Sequence, residues 1–83
     1  MHVLDLLYTA MLPPPPIYVL KRRLELFGVA DMHIYALIDI AQTEADHDPI
    51  ATRRTLWRMA REIEAERMTA REIIERRGGW VDG

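Results

Sequence analysis

Four arginines, Arg53, Arg54, Arg58 and Arg61, fall within a short run that reads IATRRTLWRMAREIEAE from Ile50, and no acidic residue interrupts it before Glu62. Planar guanidinium forks match the oxygens of phosphates and carboxylates, so a cluster of them is chemistry for holding an anion. Thr52 and Thr55 add hydroxyl donors, and Trp57 stands where it either packs or contacts a sugar. Other chemistry finds little support. The chain has no cysteine, so disulfides, thiolate metal sites and a thiol nucleophile are all excluded. His33 and His47 lie among carboxylates, yet the spacing of Glu44, Asp46, His47 and Asp48 matches no ligand pattern with known mechanics. No nucleophile elbow or phosphate-cradling glycine loop occurs. The expectation is a binding protein rather than an enzyme, with no metal, no cofactor and no small-molecule ligand.

The arginines must be positioned by a helix. At about 100° per residue, Thr52, Leu56, Met59, Ala60 and Ile63 gather on one side of the stretch from Ile50 to about Arg67, and Arg54, Arg58 and Arg61 fall opposite. Pro49 suits the first position of such a helix. Its charge order opposes the helix dipole, because Arg53, Arg54 and Arg58 occupy the amino half and Glu62, Glu64 and Glu66 the carboxyl half. Arg54 and Arg58 also repel at four-residue spacing. This arrangement suggests an external anion, phosphate first among them, at the helix N-terminus. The competing reading is a solvated face whose arginines pair with Glu62 or with the acidic segment before Pro49.

Around this helix the chain divides at a run of four prolines. Val3, Leu6, Leu7, Ala10 and Met11 have helical spacing, so residues 1–12 read as a short helix and a possible dimerisation segment. Pro13 to Pro16 stop it and read as an extended linker. Residues 17–83 form the main domain. Ile17, Leu20, Leu24 and Phe27 mark a helix ending at Gly28, and Asp31 caps another carrying Ile34, Leu37, Ile38 and Ala41. That second helix presents an acidic surface that would repel phosphate. The tail is ambiguous. Thr69 with Glu72 is a capping box that makes residues 70–77 helical, whereas Ile73-Ile74, Gly78-Gly79 and Trp80-Val81 spell a hairpin.

The arginine-bearing run resembles the recognition helix of winged-helix and helix-turn-helix transcription regulators, and MTAREIIERRGGWV is similar to the strand, glycine turn and strand of the wing in regulators of the MarR type. The resemblance covers residues 17–82. It implies a mainly α fold with a small C-terminal β-hairpin, in which the helix 50–66 enters the major groove of double-stranded DNA. Thr52, Arg53, Arg54, Thr55, Trp57, Arg58 and Arg61 would then form the contact surface, with Arg76 and Arg77 touching the backbone from a wing at 71–82. TEADHDP is longer and more acidic than the turn such regulators carry. The alternative expectation is an all-helical bundle, with residues 70–77 helical, acting as an adaptor or inhibitor whose basic face binds an acidic protein surface.

Eighty-three residues with a net charge of −2 argue against an indiscriminate polyanion binder. The charge is unevenly spread. Between Leu24 and Pro49 there is no lysine or arginine, and the basic run follows at once. A chain this short buries only roughly 60% of its unfolded surface, so homodimerisation is expected. The apolar start lacks a preceding basic residue and is interrupted by Asp5, which fits neither a signal peptide nor a membrane span and points to the cytoplasm.

Overall fold

The computed structural model describes residues 12–78, which fold into four α-helices: α1 (Ile17–Leu26), α2 (Asp31–Glu44), α3 (Pro49–Glu64) and α4 (Ala70–Arg76). Among the described residues there is no β-strand. The winged-helix expectation therefore fails, and the all-helical alternative holds. The segment expected as a wing is α4, and its cause is local. The Thr69 hydroxyl accepts from the Glu72 N–H at 3.1 Å while the Glu72 carboxylate accepts from the Thr69 N–H at 3.0 Å, closing the capping box. Ala70, Ile73 and Ile74 then fall on one helical face, and all three are buried. In a strand, Ile73 and Ile74 would point to opposite sides, and a lone hairpin has no second layer to cover both. Gly79 to Gly83, including Trp80 and Val81 of the expected return strand, lie outside the described residues, as do residues 1–11.

Ion pairs tie the helix ends together. Arg23 Nε and Nη2 grip Glu64 Oε2 and Oε1 at 3.2 and 2.5 Å, tying the carboxyl end of α1 to that of α3. Arg77 pairs with Glu44, tying the carboxyl ends of α4 and α2. The core lies between α2 and α3, which share the most extensive contact, and is made by Leu20, Leu24, Ile34, Leu37, Leu56, Met59, Ile63 and Ile74. At roughly 25 cal/mol per Å² of apolar surface removed from water, these aliphatic faces supply most of the drive to fold. Leu12 packs against the same core and Pro14 is buried, so the proline run lies along the helices as it enters α1.

The first three helices stop in the same way. After α1, the Val29 N–H reaches the Leu24 carbonyl and the Gly28 N–H reaches Glu25, both at 3.0 Å, with Gly28 at φ +95°. This is the Schellman arrangement that glycine favours. After α2 and α3 the same bonds recur without glycine, from His47 to Gln42 at 2.8 Å and from Arg67 to Glu62 at 3.1 Å. Asp46, His47 and Glu66 accordingly hold φ of 52°, 61° and 58°.

Candidate functional site

The basic helix exists, and the structure sorts its residues by where they point. Thr52 is 2% exposed and Trp57 6%, so both belong to the core and neither offers a surface to a nucleic acid. Arg53 and Thr55 are half-buried. Arg54 is half-buried too, and its Nη1 donates a long hydrogen bond of 3.4 Å to the Leu12 carbonyl. Arg54 and Arg61 are both engaged within the chain. Arg58 is the exposed member of the stripe. Spacings of four and three keep Arg54, Arg58 and Arg61 on one side, away from the core, as the periodicity anticipated. Arg76 is exposed on α4, whereas Arg77 is neutralised by Glu44.

The unfavourable charge order of α3 has an internal remedy. Asp48 is its N-cap, and the Asp48 carboxylate accepts from the Ala51 N–H at 2.8 Å. One anion therefore already occupies the helix N-terminus, which removes the reason for expecting phosphate there. Carboxylates at the other end are committed elsewhere. Glu64 holds Arg23, and Glu62 accepts from Arg67 Nε at 2.9 Å. Glu62 stands four residues beyond Arg58, the ordinary position for a helical ion pair, yet it serves Arg67 instead. Among the described residues, Arg58 makes no ion pair.

Two surface features went unread in the sequence. On the α1–α2 side, Lys21 Nζ donates to the Tyr35 hydroxyl at 2.9 Å and sits 4.8 Å from the ring centroid. That hydrogen bond raises the Lys21 pKa, with the tyrosine's charge interaction adding to it. The signal that could have found this was Tyr18, Lys21 and Arg22 on the face of α1 opposite Leu20 and Leu24. At the end where α1 turns into α2, an open groove is lined by Phe27, Val29, His33, Ile63 and Met68. Among the described residues, no group of three or more His, Asp or Glu side chains is placed to hold a metal ion, and no helix is long and apolar enough to cross a membrane. Comparison with protein-family models, with curated proteins and with solved structures found no match.

Proposed function

We propose that this chain is a small all-helical protein-interaction module, an adaptor or inhibitor, whose basic α3 face docks on an acidic protein surface. The observation that carries this reading is Arg58. It projects from a twelve-residue stretch free of acids, and its natural helical partner Glu62 is held by Arg67. An exposed guanidinium of this kind gains most from a carboxylate supplied by a partner, where a bidentate pair forms in a partly desolvated setting. Burial of Thr52 and Trp57, neutralisation of Arg77 and capping of α3 by Asp48 weigh against duplex DNA as the occupant. A cytoplasmic setting belongs to the same reading, and the cysteine-free composition supports it.

The test uses two polyanions of different chemistry, poly-L-glutamate and a random-sequence DNA duplex, titrated into isotopically labelled full-length protein while arginine Nε–Hε resonances are followed by NMR. Poly-L-glutamate is expected to shift Arg58 first, and Arg58→Glu to weaken that binding by about tenfold while far-UV circular dichroism stays unchanged. Tight, steeply salt-dependent retention of the duplex, with no response to poly-L-glutamate, would overturn the reading in favour of nucleic acid.

A further inference from the structure

The three linkers between the helices are not equivalent. Gly28 stands between α1 and α2, and Pro49 closes the turn between α2 and α3, so each of these junctions carries a helix breaker. Residues 65–69, Ala-Glu-Arg-Met-Thr, join α3 to α4 with neither, and Ala, Glu, Arg and Met are among the best helix formers. The linker is nonetheless bent out of helical geometry. Glu66 holds φ 58°, in the left-handed region that disfavours a residue with a Cβ, and a helical linker would relieve that strain. A short hinge under strain is what invites two copies of a chain to exchange an element.

The packing of α4 makes it the part to exchange. It lies chiefly on α2 and only lightly on α3, beginning in the groove shared with Ala30 and His33 and ending where Arg77 meets Glu44. Leaving α3 therefore costs little of the packing of α3 itself. The apolar pattern also runs through the linker: on a continuous helix Leu56, Ala60, Ile63, Ala70 and Ile74 fall within about 40° of one line, interrupted by Arg67. Glu66 already lies at the first turn of α2, so a straight helix would carry Ala65 to Arg76 about 18 Å past Glu64 and off the α2 of its own chain. Two surfaces are then bare, the inner side of α4 and the part of α2 it had covered. Each fits the other, as the closed chain shows, and two copies cover both around a two-fold axis.

We infer that two copies of this chain exchange α4, with residues 65–69 turning helical so that α3 and α4 become one helix and each α4 covers α2 of the other copy. The capping box of Thr69 and Glu72 holds the closed monomer, because it exists only where the chain enters α4 from outside a helix. Arg54, Arg58 and Arg61 lie opposite the apolar stripe and stay outward in both forms. The exchange does not depend on the function proposed for them.

Cross-linking of the full chain tests the exchange. The described residues hold no cysteine, so Glu44→Cys and Arg77→Cys variants each carry one thiol where the exposed ion pair stood. An equimolar mixture, one variant isotopically labelled, is warmed and cooled at hundreds of micromolar and treated with a short bismaleimide. A cross-link from Glu44→Cys to Arg77→Cys is expected, since only an exchanged α4 brings the two positions together between copies. Sedimentation equilibrium reads the hinge. Thr69→Ala removes the capping box from the monomer and is expected to strengthen dimerisation on the order of thirtyfold. Glu66→Gly, at ease at positive φ and poor within a helix, is expected to weaken it on the order of a hundredfold. Circular dichroism checks that each variant is helical, and Glu66→Gly, which relieves strain, keeps the hinge test if Thr69→Ala unfolds. Absence of the mixed cross-link overturns the inference. So does dimerisation that the hinge variants leave unchanged or move in the opposite directions.

Discussion

Thr52 carries a hydroxyl into the apolar side of α3, where its Oγ1 is buried without a hydrogen-bond partner among the described residues. A buried hydroxyl left unpaired costs about 1 to 3 kcal/mol, whereas valine has nearly the same shape and no such cost. Thr52→Val is therefore expected to raise stability by about 1 kcal/mol in urea denaturation. A decrease would mean the hydroxyl finds a partner in solution. Thr52 also shows what can be read from sequence at this scale. Its helical position already grouped it with Leu56, Met59 and Ala60, and its inclusion among surface donors rested on the hydroxyl alone. Trp57 stood at the border of the same wheel, and periodicity has no means of deciding a border position. Its burial follows from what packs beside it, which is tertiary information.

The shortest element depends most on its first turn. With only seven residues, α4 is too short to be stable alone, so the capping box and the burial of Ile73 and Ile74 hold it together. Thr69→Ala is expected to cost about 1 kcal/mol and to speed amide exchange in α4 ahead of the other helices. Acid should act on the same lock. The Thr69 N–H, and then the Thr69 hydroxyl region, hold the Glu72 carboxyl below its ordinary pKa. A depressed carboxylate contributes stability that is present above its unfolded value and lost as pH falls through the folded one, so the loss belongs at and below about pH 4. Glu72→Gln should flatten that acid limb by a small amount, as befits an exposed group, and an unchanged limb would assign it to other carboxylates. Three of the four helices were legible from periodicity, proline and glycine stops. For α4, two local codes competed over the same letters, and the decisive one was the i, i+3, i+4 spacing of Ala70, Ile73 and Ile74. The site was legible in part: spacing put Arg54, Arg58 and Arg61 on one side. It did not foresee that Asp48 would cap the helix or that Glu62 would turn towards Arg67, because both depend on how the chain leaves the helix ends.

Across the whole molecule, charge is arranged in bands, acidic along α2 and basic along the outer side of α3, with ion pairs such as Arg23–Glu64 and Arg77–Glu44 closing the ends of the bundle. The corners between the helices are less comfortable than the helices they join. Asp46, His47 and Glu66 turn the chain through a backbone region where a side chain costs roughly 1 to 2 kcal/mol. Glu66 adds a negative charge at the negative end of α3. Gly in its place sheds both penalties and gives back part of the gain, roughly 0.4 to 1 kcal/mol, through a looser unfolded chain. Glu66→Gly should thus leave the protein more resistant to urea by about 1 kcal/mol. The consequence is a bundle whose headroom lies at its bends: thermal tolerance can be gained there without altering a core side chain, the arginine stripe or the α1–α2 face.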